Sequence, residues 1–454
     1  MTMKKMKCDV PTRLVKVLNL ILMMVAFGFV WYGYYAARAQ VHYYRRGDWV
    51  VILLFGILYY GFCRSYDAFH ISISPISEII YSQTLALIIS DFIMYVVIWL
   101  LSLYMPNAVP LLITFGVQFL ISVLWTFLAH QWYFHNFRPG RTAVIYDLRE
   151  GMESLVGEYG MEKKFHIEKV LGVEECLAKL SVLDEMDTVF LSGIHSHERN
   201  IILKYCMYQD IQVYVIPRIG DVIMGGAKKV HMFHLPMLRI DRYRPIPEYT
   251  IAKRAFDILF SGIAIVIASP FMLVTAIAIR SDGGPALYKQ KRLTKDGKEF
   301  NVLKFRSMRV DAEKDGVARL STGDKDDRIT PVGKVIRKIR FDELPQLFNI
   351  LRGDMSIVGP RPERPEIARQ YEEEMPEFRL RLQAKAGLTG YAQVYGKYNT
   401  TPYDKLLMDL TYIGTPSLWE DFKICLATVK ILFMPESTEG VAEGATTAMG
   451  GEKH

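Results

Sequence analysis

Two adjacent carboxylates, Asp342 and Glu343, stand in the run Phe341-Asp342-Glu343-Leu344-Pro345-Gln346, with cations close on both sides. Asp342 suits the cap of a helix beginning here, and Pro345 is tolerated only in a first turn, where its missing N–H costs nothing. Leu344, Leu347, Phe348 and Leu351 then follow at helical spacing and supply a buried face. Acidic residues at helix starts are favoured for stability alone, so the pair has a purely structural explanation. It also suits phosphoryl chemistry. One carboxylate can attack phosphorus while its neighbour holds Mg²⁺, and the helix N-terminus stabilises phosphate oxygens.

The surrounding cations fit the same chemistry. In Lys304-Phe305-Arg306-Ser307-Met308, Lys304 and Arg306 stand two residues apart, on one face of a strand or loop. Arg328 lies in Asp327-Arg328-Ile329-Thr330. Residues 333–340 carry Lys334, Arg337, Lys338 and Arg340, with Val335, Ile336 and Ile339 at helical spacing. That is an amphipathic basic helix, and most of its cations read as a solvated or membrane-surface face. Pro360 and Pro362 hold Arg361 in a stiff, extended backbone, and a fixed planar guanidinium suits bidentate phosphate binding. Gly387-Leu388-Thr389-Gly390 with Tyr391 reads as a flexible loop able to close over a ligand.

These residues need elements to position them, and 454 residues allow roughly three domains. Apolar residues make up 51% of the chain and mean hydropathy is +0.13, too apolar for an ordinary soluble enzyme, while 23% charged residues exclude an all-membrane protein. The apolar excess lies at the front, in 14–37, 49–63, 78–104 and 109–135, and about 20 apolar residues span a bilayer. The second stretch is the weakest of the four. Lys4, Lys5, Lys7 and Arg13 precede the first stretch and Arg138, Arg141 and Arg149 follow the fourth, which makes both flanks cytoplasmic. Five scattered cysteines without a C-x-x-C pair argue against a disulfide framework or zinc ribbon. A net charge of +7 fits contact with anionic lipid or a phosphate substrate and makes no case for nucleic acid.

From 141 to about 240, short β-rich runs at 142–146, 188–191 and 213–216 alternate with helix-compatible stretches, the pattern of a small doubly wound α/β domain. Its first strand runs into Asp147-Leu148-Arg149-Glu150-Gly151, without the G-x-G-x-x-G that cradles a dinucleotide. The module therefore reads as an interaction or spacer unit. After a linker at 241–249 comes a fifth apolar run to residue 279, interrupted at Ser269-Pro270, where a helix should break or kink. Lys253 and Arg254 on one flank and Arg280 and Lys289 on the other favour a return to the same face.

Together and in this order, the motifs resemble those of bacterial polyprenyl-phosphate sugar-1-phosphate transferases, the large monotopic phosphoglycosyl transferases that initiate exopolysaccharide synthesis. The motifs are Lys253-Arg254 with Phe256-Asp257, Ser269-Pro270, 304–308, 327–330, 342–346, 353–362 and 387–393. The resemblance implies a membrane protein of mixed α and α/β class. Its parts would be a four-helix transmembrane domain (1–138), a Rossmann-like α/β module (139–245), a monotopic catalytic domain with a re-entrant membrane helix (246–434) and a disordered tail (435–454). It implies a multi-pass protein of the bacterial inner membrane with its catalytic domain in the cytoplasm. The implied reaction moves a sugar 1-phosphate from a UDP-sugar to undecaprenyl phosphate and releases UMP. The implied roles are Asp342 as covalent nucleophile, Glu343 as Mg²⁺ ligand, Pro360, Arg361 and Pro362 at the nucleotide-sugar end, and Ser269 and Pro270 at the membrane break. Lys304, Arg306, Arg328 and Arg340 join the substrate-binding set. The resemblance leaves self-association into a homo-oligomer open. A non-catalytic scaffold for polysaccharide assembly and a UDP-sugar hydrolase are the competing readings; the intact carboxylate pair with Arg361 argues against the scaffold.

Overall fold

A computed structural model describes residues 3–39, 46–149, 151–281, 283–309, 328–396 and 400–432; Glu150, Asp327 and the tail 435–454 lie outside them. The chain forms two compact units that divide between Ile216 and Pro217.

The first unit opens with four long helices: α1 (Met3–Val30), α2 (Arg46–Ser65), α3 (Ile76–Ser102) and α4 (Val109–Asn136). Each is long and apolar enough to cross a membrane, and the second is the least hydropathic. Helix α1 packs on α2 and α4, and α3 packs on the same two. Stacked rings of Phe27 and Phe55, 4.5 Å apart, fill the α1–α2 contact. Polar side chains tie the four helices. Tyr59 donates to Asn19 Oδ1 (2.9 Å), Asn19 Nδ2 donates to Gln83 Oε1 (3.5 Å), and Ser122 donates to the same oxygen (2.7 Å). In an apolar surrounding such bonds fix which helix faces meet.

The same unit continues into an α/β module of β1 (Gly140–Tyr146), α5 (Met152–Glu158), β2 (Phe165–Gly172), α6 (Val173–Ala178), β3 (Thr188–Ser192), α7 (Ser196–Tyr208) and β4 (Gln212–Val215). All pairings are parallel, in the order β2-β1-β3-β4. Strand β3 is buried along its whole length, as a strand covered on both faces must be. Strand β2 is absent from the sequence reading. It is the edge strand, its exposed positions are His166, Glu168 and Val170, and charge hides its apolar alternation.

The second unit begins with α8 (Ile219–Gly225) and a hairpin of β5 (Lys228–Met232) and β6 (Leu235–Arg239). Composition places the end of the α/β module at the linker near 245, whereas α8 packs on a helix of the second unit. Next come α9 (Pro247–Arg280), the antiparallel pair β7 (Leu287–Leu293) and β8 (Glu299–Phe305), α10 (Pro331–Lys338), α11 (Gln346–Arg352) and β9 (Ser356–Val358). Helix α12 (Pro365–Glu374), β10 (Gly387–Thr389), α13 (Tyr391–Tyr395), α14 (Pro402–Gly414) and α15 (Leu418–Leu432) complete it. Its main core gathers Val358, Ile367, Tyr371, Phe378, Leu406, Leu410 and Ile424. The partner of α8 is α14.

Helix α9 corrects one expectation. It runs on through Ser269-Pro270 as a single 34-residue helix, so of the break or kink expected there the chain shows no break. Pro270 cannot donate to Val266 O, four residues back, but the Ser269 hydroxyl donates to that oxygen at 2.8 Å. The freed carbonyl is satisfied and the helix continues. Both arms of α9 rest on the same domain. Arg254 donates to the carbonyls of Ile350 (2.6 Å) and Leu351 (2.7 Å), capping the end of α11. Asp257 accepts from Ser356 Oγ (3.1 Å) and the Ile357 amide (3.0 Å). Ala264 and Ile265 pack on Val302, Leu347 and Ile350, while Met272, Ala276 and Ile279 pack with Phe305 and Ile336. The other side of α9 exposes Val266, Ile267, Phe271, Leu273, Val274 and Ile277.

A buried polar cluster fastens the start of α9 to α14 and α15. Asp421 accepts from Tyr249 (2.9 Å), Lys253 (2.9 Å) and Tyr412 (2.8 Å). Asp421→Ala strips three donors of one acceptor and leaves a largely buried ammonium unpaired. Removing one partner of such a pair costs about 3–5 kcal/mol. A clear fall in the thermal unfolding midpoint in detergent is expected; an unchanged midpoint would show that the cluster does not hold the helix.

Candidate active site

Helix α10 ends at Lys338, and Arg340 turns the chain with left-handed backbone (φ 56°). Asp342 and Glu343 then lie in a single 3₁₀ turn, Phe341–Glu343, and α11 begins only at Gln346. The expectation that Asp342 caps a helix starting at this point is therefore corrected. Pro345 has no N–H to give, and the turns around it close by short-range bonds instead: Leu344 to Phe341, Leu347 to Leu344 and Phe348 to Pro345. Phe341 anchors this elbow by packing with Ile279, Phe305 and Ile336 beneath α9. The turn that carries the carboxylates is thereby anchored to the apolar helix through Phe341.

Four of the residues singled out in the sequence meet here. Lys304, on β8, places Nζ 2.9 Å from Glu343 Oε1, and Arg361 Nη2 lies 3.4 Å from the same oxygen. Asp342 is the neighbour of Glu343 in the turn. Burial alone would raise the Glu343 carboxyl, but Lys304 and Arg361 outweigh it and hold the group well below the usual carboxylate range. Burial raises the Asp342 carboxyl above its ordinary value; the pull of Lys304 is offset in part by repulsion from Glu343. The two environments act in opposite directions on neighbouring carboxylates: the cations favour the ionised form of Glu343, and burial disfavours that of Asp342.

Of the remaining predicted residues, some lie around this centre and others do not. Pro362 lines the same cleft. Pro360 O accepts from the Gly387 amide at 2.9 Å. Arg340 contributes positive field at Glu343. Arg306 stands apart: it is buried, and it donates to Ile279 O (3.0 Å) and Pro285 O (2.9 Å), closing the end of α9. Arg328 meets the chain beside Met308, where its carbonyl accepts from the Arg309 amide. The segment 387–390 is not the flexible loop expected. Residues Gly387–Thr389 form β10, parallel to β9, and a Cβ at Gly387 would lie 2.2 Å from Gly359 N. The glycines serve close backbone packing.

Three polar cleft residues, Arg292, Gln346 and Gln393, have no role assigned in the sequence reading, although the last two lie within its motifs. Gln346 had a signal. It stands three residues after Glu343 and four after Asp342, the spacing of one helix face, and it is 4% exposed. Arg292 lies in a strand of ordinary composition and carries none.

Among the described residues no group of three or more His, Cys, Asp or Glu is placed to hold a metal ion. Mg²⁺ does not require one, since it is commonly held by one or two carboxylates together with substrate phosphates and water. Both cations meet Glu343 at Oε1, on one edge of its carboxylate, and the preceding residue, Asp342, is a second carboxylate. This hard-oxygen pair fits the ion.

Comparison with known proteins gives consistent results. The model of the bacterial sugar transferase family matches residues 248–435. The chain is 39% identical over 234 residues to a UDP-N-acetylgalactosamine-undecaprenyl-phosphate N-acetylgalactosaminephosphotransferase of Aeromonas hydrophila, covering 51% of this chain and 54% of that protein. It is 38% identical over 236 residues to an undecaprenyl-phosphate galactose phosphotransferase of Salmonella typhimurium, covering 48% and 49%. It is 40% identical over 201 residues to a UDP-glucose:undecaprenyl-phosphate glucose-1-phosphate transferase of Caulobacter vibrioides, covering 42% of this chain and 74% of that protein. The chain spans about half the length of the first two and three quarters of the third. With the carboxylate pair, the Pro360-Arg361-Pro362 segment and the apolar helix all inside the matched region, the chain belongs to the bacterial sugar transferase family.

Proposed function

We propose that the protein transfers a sugar 1-phosphate from a UDP-sugar to polyprenyl phosphate, normally undecaprenyl phosphate, and releases UMP, so starting a surface polysaccharide. The observation that carries this reading is the Asp342–Glu343 turn, seated on α9 and faced by Lys304 and Arg361. Asp342 attacks the sugar-bearing phosphorus; a new carboxylate–phosphorus bond forms as the bond to the bridging oxygen breaks, and UMP leaves. An oxygen of the lipid phosphate then attacks the same phosphorus and frees Asp342. Lys304 and Arg361 offset the charge that gathers on the diphosphate. Glu343 would hold Mg²⁺, which when bound neutralises diphosphate charge. A panel of radiolabelled UDP-sugars with undecaprenyl phosphate and Mg²⁺ tests the reading. One label should enter the lipid phase, with UMP release strictly dependent on the lipid; UMP release without lipid would indicate a hydrolase.

Arg361 is read as the grip on a donor phosphate. Arg361→Lys keeps the charge and loses the planar fork, so kcat/KM is expected to fall by about 10-fold or more, the effect of one lost charge-assisted bond. Wild-type kinetics in that variant would remove the bidentate role.

The reading also requires a location. Four apolar helices would cross the inner membrane and leave both flanks in the cytoplasm, where UDP-sugars are made. Helix α9 would then kink at Pro270, stay in one leaflet and return. Its arms rest on one domain, and only about 10 Å of helix separates Ile265 from Met272 at 1.5 Å per residue, against a hydrocarbon core of about 30 Å. Cysteines placed at Pro247 and Lys295 are both expected to escape an impermeant thiol reagent in intact cells. Labelling at Lys295 alone would mean a true crossing.

A further inference from the structure

The residues Pro360, Arg361, Pro362 and Glu363 lie outside any helix or strand, yet each of their four carbonyls has a donor. Gly387 N donates to Pro360 O (2.9 Å) and Leu293 N to Glu363 O (3.0 Å). The two between them are taken by guanidinium groups: Arg381 Nη2 donates to Arg361 O (2.9 Å), and Arg292 Nη1 to Pro362 O (3.0 Å). Arg381 is 3% exposed and is itself held by Asp409, 1% exposed, through Nε at 2.8 Å. Arg292 is steadied by Gln290 Oε1 at 2.7 Å.

We propose that Arg381 and Asp409 are positioning residues for Arg361: they fix the peptide plane from which its side chain departs and so aim its guanidinium into the cleft. The proposal rests on the reading of Arg361 as the grip on the nucleotide-sugar. Pro362 already confines Arg361 to extended backbone, with ψ of about +120 to +160°, and the hydrogen bond from Arg381 fixes the peptide plane within that range. The Arg361 side chain is 45% exposed and its Nη2 lies 3.4 Å from Glu343 Oε1, so the point and direction of its departure from the backbone govern how it enters the cleft. A bidentate contact needs both nitrogens in the right plane, and a fixed point and direction of departure from the backbone narrows the set of side-chain conformations that must be searched to reach it. Burying an arginine and an aspartate together is a poor way to gain stability alone, since well-packed apolar residues commonly do as well. What the pair supplies is a donor in one fixed direction.

The test uses the full chain in nanodiscs, with the UDP-sugar that turns over and undecaprenyl phosphate as substrates. Asp409→Asn keeps the volume and removes the charge that holds Arg381; Arg381→Lys keeps a buried cation beside Asp409 and loses the fork. Each is expected to raise KM for the nucleotide-sugar about 10-fold while KM for the lipid stays within about 2-fold. In an Arg361→Ala background neither should raise KM further, because residues acting through one another are not additive. Additive effects, or a lower melting temperature with both KM values unchanged, would overturn the positioning role and leave Arg361 in place. An Arg361→Ala variant with normal KM would instead overturn the reading of Arg361 and this proposal with it. If Asp409→Asn does not fold, Arg381→Lys alone decides.

Discussion

Asp342→Asn is expected to lower transfer by about 10⁴-fold or more, the scale at which removing a covalent nucleophile leaves only binding and electrostatic assistance. The substitution is isosteric. Asp342 takes part in no hydrogen bond or ion pair among the described residues, and the elbow is held by Phe341 on one side and α11 on the other. The protein should therefore fold and melt as the native one does, and the loss should lie in kcat. Asp342 also carries a prediction about pH. Attack needs the ionised carboxylate, and burial raises this group above its ordinary value. Activity is lost as pH falls through that raised value, so the acid limb of kcat/KM should lie at higher pH than for an ordinary aspartate. Near-normal turnover by Asp342→Asn would remove it from the chemistry.

Glu343→Gln should produce the second large effect, a fall in kcat/KM of about 10²–10³-fold, comparable to losing one preorganised electrostatic contact. Two consequences follow from the same geometry. Lys304 and Arg361 lose their shared anchor at Oε1, and the charge that opposes ionisation of Asp342 disappears. Both cations then act on Asp342 unopposed, so the acid limb should move to lower pH. An unmoved limb, or one moved upward, would contradict the coupling. The Mg²⁺ requirement should rise in the same variant, and full activity of the native protein in EDTA would contradict the metal role.

The long apolar helices and three of the four parallel strands are legible in the chain because burial imposes periodicity and run length on composition. Strand β2 is not, because an edge strand buries only alternate residues and its exposed positions are free to carry charge. Local motifs also locate Asp342, Glu343 and Arg361, whose types and neighbours are unusual in themselves. The duties of Arg306 and Arg254 are invisible in sequence. Both reach carbonyls far along the chain, at Ile279 and at Ile350 and Leu351, and a lone arginine beside a strand or in a helix gives no sign of such a partner. The same holds for Arg381 and Asp409, separated by 28 positions. Pro270 shows the opposite error: the rule that proline breaks a helix is sound, but Ser269 satisfies the carbonyl the rule leaves unpaired.

The covalent route through Asp342 is tested most directly with a UDP-sugar carrying ³²P in the sugar-proximal phosphate. The delipidated enzyme, given this donor without polyprenyl phosphate, should retain label after denaturation. The label should map to the peptide bearing Asp342, with UMP released in matching amount. Addition of undecaprenyl phosphate should move it to the lipid phase. Label that stays on the protein in Asp342→Asn, or that reaches lipid only when both substrates are present with none ever bound to the native chain, would contradict the account.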